Sequence, residues 1–294
     1  MVRSLGSSAR ALVRAPVPWL PEPAQVACDL LGPAEVLAEA FAGATAVVHL
    51  AGHNEVIARQ EPARSTQETT AMAEAVRDAA VRSGVCRVVY VSSVHVYGEH
   101  LQPGAVITES LPPAPTSPYA EARRACEEVL DAADVETVVL RLTNAVGAPA
   151  DPRVDRWTLV ANDLCRHAVL DRTMVLHSSG QQWRDFIPLA DACRLVLDAL
   201  DEEVVPAGTY NLASGTSCTI RALAGLVQER VHRSCGWIPE LVAPAATGEP
   251  EDPYVVDVSA LGRLGLRAER PLEDAVDEIV EHCVQHEAAL RGAP

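Results

Sequence analysis

Apolar runs alternate with longer segments of helical period through the first half of the chain. The run VVYV at residues 88–91, for example, is apolar throughout, which is typical of a strand buried on both faces of a parallel sheet. The predicted strands span residues 9–14, 45–50, 87–91 and 136–142, and the predicted helices span 33–41, 65–83 and 118–133. This order predicts an α/β fold with a doubly wound, Rossmann-like parallel sheet.

The alternation becomes less regular after Gly147, where short strands are separated by unequal stretches. The predicted helices here span residues 156–170, 189–200, 220–232 and 272–286, the predicted strands span 174–176 and 209–212, and the proline-rich stretch 239–253 is predicted to be a flexible surface connection. This pattern is typical of a smaller cap. We therefore predict a Rossmann-like core over residues 1–147, to which 181–212 return, and a C-terminal substrate cap formed by 148–180 and 213–294.

Composition narrows the class of protein. The chain has 294 residues, is 48% hydrophobic, and carries 40 acidic against 24 basic side chains, all of the latter arginine. The excess of negative charge argues against nucleic acid or an anionic membrane as the main partner. No long apolar run or secretory leader is apparent, so we expect a cytoplasmic protein. The eight cysteines form no Cys-x-x-Cys pair, which disfavours a metal site.

Polar residues follow the strand predicted at 87–91, where the sequence reads SSVHVYG over residues 92–98. Twenty-six residues after Ser93, Tyr119 begins a predicted helix, and Arg123 follows one turn later on the same helix face. The carboxyl ends of parallel strands are where open α/β sheets bind ligands. These two segments therefore indicate a candidate site.

Three further segments follow along the chain: RLTNAVG at 141–147, QWRDFI at 182–187 and YNLASG at 210–215. Together with the two segments above, they resemble the extended short-chain dehydrogenase/reductases, also described as NAD-dependent epimerases and dehydratases. The resemblance covers nearly the whole chain. It implies a nicotinamide-dependent enzyme that acts on a nucleotide sugar.

The resemblance implies that Ser93, Tyr119 and Arg123 are catalytic. Tyr119 would move a proton to or from a substrate oxygen, and a phenol needs a nearby cation to do so at neutral pH. Arg123 can supply that cation, although the family pattern has lysine here and the arginine fork is larger. Ser93 would donate a hydrogen bond to the same substrate oxygen.

The same resemblance implies NADP or NAD as cofactor. The implied cofactor-binding residues are Arg14, Asp29, Leu30, Leu50, Ala51, Gly52, Tyr119 and Arg123. Arg14 follows the strand that would meet the adenosine ribose, and its charge suits a 2′-phosphate, so NADPH is slightly favoured.

The family's first strand and Gly-x-x-Gly-x-x-Gly turn have no counterpart in the sequence, and residues 1–6 resemble the end of the helix that follows such a turn. We expect roughly twenty residues to be missing, about one strand, a turn and most of a helix. A start codon assigned too late is the favoured explanation. A degraded gene copy and a cofactor-free role are the alternatives.

The choice of reaction depends on the residues after Ser93. Sugar-nucleotide 4,6-dehydratases carry an Asp-Glu pair where this chain has Val94 and His95, so that dehydration is disfavoured. We predict a reductase of a nucleotide-linked 4-keto-6-deoxyhexose, with a nucleotide-sugar epimerase and a non-catalytic binding protein as alternatives. The implied substrate-binding residues are Val94, His95, Asn144 and Arg184, and His53 is a further histidine near the cofactor. The resemblance also implies a homodimer, paired through the helices at 65–83 and 118–133.

Overall fold

The computed structural model describes residues 9–20, 24–154, 156–245 and 251–291. Within them the strands are β1 (Ala11–Val13), β2 (Gln25–Ala27), β3 (Ala46–His49), β4 (Arg87–Ser93), β5 (Val106–Ile107), β6 (Glu136–Leu142), β7 (Asn144–Val146), β8 (Thr173–Val175), β9 (Trp183–Pro188), β10 (Gly208–Leu212), β11 (Ser217–Thr219), β12 (Glu240–Val242) and β13 (Val255–Val256). The helices are α1 (Ala34–Phe41), α2 (Glu55–Gln60), α3 (Pro62–Ser83), α4 (Pro118–Asp131), α5 (Val160–Leu170), α6 (Leu189–Asp198), α7 (Ile220–Cys235), α8 (Ser259–Gly262), α9 (Leu272–Gln285) and α10 (Glu287–Arg291).

The main sheet is parallel, with strand order β10-β6-β4-β3. In β4, Val88, Val89 and Tyr90 are completely buried, because helices cover both faces of the strand. The carboxyl ends of these strands lie at one edge, at Ser93 in β4 and His49 in β3. The predicted α/β fold with a parallel sheet is confirmed.

The first two strands form a parallel pair of their own, β1 with β2. Within the described residues neither pairs with β3. Leu12 and Val26 nevertheless pack on the same apolar core as Leu37 of α1 and Tyr90 of β4. The prediction about residues 1–6 lies outside the described residues.

A second apolar core lies between α5, α7 and α9, where Leu164, Val227 and Ile279 are buried. Beside it β8 pairs with β12, so the predicted flexible surface connection over 239–253 is instead a strand at Glu240–Val242. Residues 246–250 of that stretch lie outside the described residues. The prediction failed because three residues among prolines give too short a signal for a strand. Separately, β9 pairs with β7 and β11, whereas β10 completes the main sheet.

The structure also begins α5 at Val160, four residues later than predicted, and extends β4 to Ser93. It adds the short helix α2, which the side chain of Asn54 caps by accepting from two backbone N–H groups. Among the described residues, no helix is long and apolar enough to span a membrane.

Candidate active site

The start of α4 is fixed by the sequence Ser117-Pro118. Ser117 Oγ accepts a hydrogen bond from the Ala120 N–H at 3.3 Å, and Pro118 occupies the first turn, where its missing N–H costs nothing. These two residues place Tyr119 in the first turn of the helix. Tyr119 is partly exposed.

The turn after β4 faces Tyr119. Ser93 is 5% exposed, and its Oγ accepts the His95 N–H at 3.2 Å. The His95 and Tyr119 rings meet edge to face with their centres 6.4 Å apart. Gly98 allows this turn, because its φ is +43° and a Cβ there would lie 1.9 Å from the Ala114 carbonyl oxygen. The structure thus brings Ser93, His95 and Tyr119 together.

Arg123 lies beside Tyr119, as the helical spacing predicts. Its guanidinium carbon is 5.1 Å from the centre of the Tyr119 ring, and Nη1 donates to the Tyr90 hydroxyl at 3.5 Å. Burial lowers the pKa of Arg123, but the phenols of Tyr119 and Tyr90 outweigh it and raise the pKa. Arg123 is therefore a permanent cation, and its buried Nε has no hydrogen-bond partner among the described residues.

Gly52 gives Arg123 the space that it occupies. The φ of Gly52 is +146°, and a Cβ at this position would lie 2.9 Å from Thr69 Cγ2 and 3.1 Å from Arg123 Nη1. Leu50, just before it, is 54% exposed although it is apolar. An exposed apolar strand end beside a buried cation fits the edge of a cofactor pocket.

Two buried residues beneath this edge were not predicted from the sequence. His49 and Tyr90 are opposite each other in the register of β3 and β4, and their rings stack with centres 5.3 Å apart. Burial, followed by the charge of Arg123, lowers the pKa of His49 to about 4. A histidine and a tyrosine inside apolar strand runs were the available signal, since buried polar groups need partners.

Arg184 and His95 lie close enough to interact electrostatically. Partial loss of solvent lowers the pKa of His95, the charge of Arg184 lowers it further, and Glu55 opposes both. Arg184 Nη1 donates to the Trp183 carbonyl at 2.7 Å, and no ion pair of Arg184 with a carboxylate is found in the described part of the chain. Burial raises the pKa of Tyr254, and the charge of Arg184 and a hydrogen bond from Arg184 oppose this effect. The guanidinium thus has a neutral hydroxyl partner but no carboxylate partner among the described residues.

Asp185, next to Arg184, serves the fold instead. It is completely buried and accepts bonds from the Thr143 hydroxyl at 2.7 Å, the Ser214 N–H and hydroxyl at 2.9 Å each, and the Thr216 N–H at 3.1 Å. Burial raises its pKa despite these donors. An internal pair between Arg184 and Asp185 is not formed.

Two of the implied substrate residues make contacts within the protein: Asn144 is half-buried and Val94 is buried. Asn144 Nδ2 donates to the Asp185 carbonyl at 2.8 Å. Val94 is 2% exposed and packs with Val96 and Ile107. The structure therefore does not bring the Val94 side chain to the cleft, because the turn directs it into the core.

The residues implied for the adenosine half of the cofactor follow the first two strands: Arg14 comes directly after β1, and Asp29 and Leu30 come shortly after β2. Arg14 is exposed and interacts electrostatically with Glu68. The Glu68 carboxylate also lies 3.2 Å from His53 Nε2. Asp29 Oδ1 accepts a backbone N–H two residues on, and Leu30 borders a cavity of about 250 Å³ between α1 and α3.

The residues present fit the nicotinamide end of the implied cofactor, because Arg123 lies against the Tyr119 ring and its buried Nε lacks a partner among the described residues, while His95, bonded to Ser93, lies on the same ring. The sequence contains no Gly-x-x-Gly-x-x-Gly turn for the pyrophosphate. Within the described residues no group of His, Cys, Asp and Glu side chains could hold a metal ion.

The model of the NAD-dependent epimerase/dehydratase family matches residues 3–213. The chain belongs to this family. The predicted family and the class of NAD-dependent oxidoreductase-type enzyme are thereby confirmed.

Curated members of the NAD-dependent epimerase/dehydratase family show moderate similarity. The chain is 28% identical over 250 residues to a dTDP-glucose 4,6-dehydratase of Streptomyces antibioticus, which covers 82% of this chain and 70% of that protein. It is 26% identical over 216 residues to a UDP-glucose 4-epimerase of Lacticaseibacillus casei, which covers 67% of this chain and 62% of that protein. The match therefore spans less than two thirds of that epimerase.

A solved structure with the same fold is MoeE5 in complex with UDP-glucose and NAD. It superposes with a TM-score of 0.79 over 97% of this chain and 94% of that chain, at 22% identity. This likeness extends over nearly the whole chain, and it agrees with the predicted Rossmann-like architecture.

Proposed function

We propose that the protein catalyses NAD(P)-dependent hydride transfer at one carbon of a nucleotide-linked sugar, in the net direction of reducing a 4-keto-6-deoxyhexose. The observation that carries the proposal is the convergence of Ser93, Tyr119 and Arg123 at the carboxyl edge of the sheet, with His95 against the Tyr119 ring. MoeE5, with the same fold, is seen with UDP-glucose and NAD, which supports a nucleotide sugar as the substrate class.

The side chains have distinct roles in this reaction. A reduced nicotinamide bound beside Tyr119 and Arg123 would provide the hydride that the carbonyl carbon needs. Tyr119 donates its phenolic proton to the carbonyl oxygen, which becomes a hydroxyl, and Ser93 holds that oxygen by a hydrogen bond. Arg123 compensates the charge left on Tyr119 after the proton leaves. Running the same steps backwards oxidises an alcohol.

Arg184 is the proposed contact for the substrate diphosphate. Its guanidinium makes no ion pair with a carboxylate in the described residues. Arg184 interacts electrostatically with His95, so it lies near the reacting groups. A planar arginine fork suits phosphate oxygens.

An epimerase is the second candidate, because Tyr119 and Ser93 could serve oxidation and reduction at the same carbon in turn, and the chain is 26% identical over 216 residues to a UDP-glucose 4-epimerase. Dehydration of the 4,6-dehydratase kind is disfavoured, since Val94 cannot transfer protons and is buried. A binding protein without catalysis is the third candidate, and the arginine at position 123, where the family pattern has lysine, is what favours it.

Several finer features belong to the same proposal. Arg14 favours NADPH over NADH by its positive charge. We further propose a cytoplasmic homodimer, paired through α3 and α4, with a core over residues 1–147 and 181–212 and a substrate cap formed by the remainder.

Titration with NADPH and NADH, followed by nicotinamide fluorescence, tests the proposal first. Binding followed by stoichiometric consumption with a nucleotide-linked keto sugar supports the reductase, and interconversion of UDP-glucose without net consumption supports the epimerase. Tyr119→Phe should abolish turnover with a much smaller loss of cofactor affinity, because the ring beside Arg123 is kept and only the hydroxyl is removed. The matched control is Tyr210→Phe, which removes only a bond to the Pro206 carbonyl. Absence of binding by the folded protein would refute the proposal.

A further inference from the structure

A buried carboxylate, Glu127, lies two turns along α4 from Tyr119. Tyr119, Arg123 and Glu127 are spaced by four residues, so they share one face of the helix. Glu127 is only 2% exposed. One face of α4 therefore carries the proposed proton donor, its cation and a buried anion in a row.

Glu127 accepts hydrogen bonds from both strands beneath α4. Ser92 of β4 donates its hydroxyl to Oε1 at 2.5 Å. Arg141 of β6 donates from Nε to Oε1 at 3.1 Å and from Nη2 to Oε2 at 2.7 Å. Arg124 adds a longer contact of 3.3 Å from the helix itself. The carboxylate thus joins α4, β4 and β6 at one point.

Arg141 is held from its other side by the turn that follows Ser93. Its guanidinium carbon lies 4.7 Å from the centre of the Tyr97 ring, and the Tyr97 hydroxyl donates to Asn211 Oδ1 at 2.7 Å. Tyr97 and Asn211 are completely buried, and Arg141 is 4% exposed. The network therefore includes the turn that carries Ser93 and His95.

We propose that Glu127 is a positioning residue, which fixes the rotation of α4 through Ser92 and Arg141 and so holds Tyr119 beside Ser93. A buried ion pair often adds little net stability compared with apolar packing. The pair of Glu127 with Arg141 therefore acts mainly by fixing the position of α4. At a side-chain radius of about 6 Å, a helix rotation of about 10° moves a group by about 1 Å. A displacement of this size can lower a rate on the order of 100-fold.

Three variants separate positioning from stability. Glu127→Gln keeps the shape but removes the charge that Arg141 needs, and Ser92→Ala removes one bond without changing any charge. Arg87→Gln is the matched control: Arg87 is 3% exposed at the opposite end of β4, where it donates to the Ala199 carbonyl at 2.7 Å and pairs with Glu136 at 2.8 Å. All three should lower the melting temperature.

The discriminating readout is NMR of the protein labelled with ¹³C at the tyrosine ring, with the Tyr119 signal assigned by Tyr119→Phe. We expect this signal to shift or broaden in Glu127→Gln and, to a smaller extent, in Ser92→Ala, and to stay unchanged in Arg87→Gln. A Tyr119 signal that is unchanged in both site variants would overturn the proposal, and if Glu127→Gln does not fold, Ser92→Ala alone decides.

The catalytic consequence rests on the proposed function. With a keto sugar that is turned over, Glu127→Gln should lower kcat on the order of 10- to 100-fold with KM nearly unchanged, whereas Arg87→Gln should lower neither. If the wild-type protein turns over no sugar, the proposed function fails, but the tyrosine signal still decides the positioning role.

Discussion

The buried histidine beneath the site makes stability depend on pH in a predictable way. His49 is 2% exposed, and its pKa is lowered from 6.5 to about 4 by burial and by the charge of Arg123. Because the folded pKa lies below the unfolded one, the unfolded chain binds the proton first. The stability that neutral His49 contributes is therefore complete above the unfolded pKa and is lost as the pH falls toward the folded pKa.

The magnitude follows from the size of the shift. Each unit of pKa difference corresponds to about 1.4 kcal/mol, so protonation of His49 should cost about 3 kcal/mol in full, and about 2 kcal/mol at about pH 5. His49→Phe keeps an aromatic ring against Tyr90 but cannot titrate. The difference in unfolding free energy between the wild type and His49→Phe should therefore change by about 2 kcal/mol between about pH 7.5 and about pH 5.

Urea denaturation of both proteins at a series of pH values measures this difference directly. The exposed His232, replaced by phenylalanine, controls for the general effect of removing an imidazole. If the wild type and His49→Phe lose stability in parallel between these pH values, then His49 does not have the depressed pKa that its burial implies.

Two further substitutions test the packing around the site. Gly52→Ala should destabilise the protein by about 1–3 kcal/mol and displace Arg123, because Gly52 has a φ of +146° and the added Cβ would lie 3.1 Å from Arg123 Nη1. Urea denaturation measures the stability, and an unchanged denaturation midpoint would contradict the packing described. Asp185→Asn should cost about 2–4 kcal/mol at neutral pH, because an amide cannot accept all the bonds that the carboxylate receives from Thr143, Ser214 and Thr216; a thermal midpoint equal to that of the wild type would show that the carboxylate is not needed there.

The sequence predicted long elements well because their periodicity extends over many residues. The strand at β6 was predicted with its observed bounds, and α4 with an error of two residues at its end. Some strands of three residues, such as Gln25–Ala27, were missed because they carry no periodic signal and are defined by tertiary pairing, whereas the strand at Thr173–Val175 was predicted one residue too late.

The candidate site could be predicted only where its members are neighbours in sequence or match a motif. The spacing of Tyr119 and Arg123 on one helix was sufficient to bring them together. The pairing of Glu127 with Arg141 joins a helix to a strand, and the stacking of His49 on Tyr90 depends on strand register. Neither contact follows from local pattern, because both are set by how the elements pack.

The central claim is that a hydride reaches a sugar carbon at the site formed by Tyr119 and Ser93. The most direct measurement is to incubate the protein with cofactor carrying deuterium at the transferable position and a nucleotide-linked 4-keto-6-deoxyhexose, and to locate the deuterium in the product by mass spectrometry. We predict one deuterium on the reduced sugar carbon with the wild type and with Tyr210→Phe, and none with Tyr119→Phe. Deuterium transfer that persists in Tyr119→Phe, or its absence with a wild type that binds both ligands, would contradict the account.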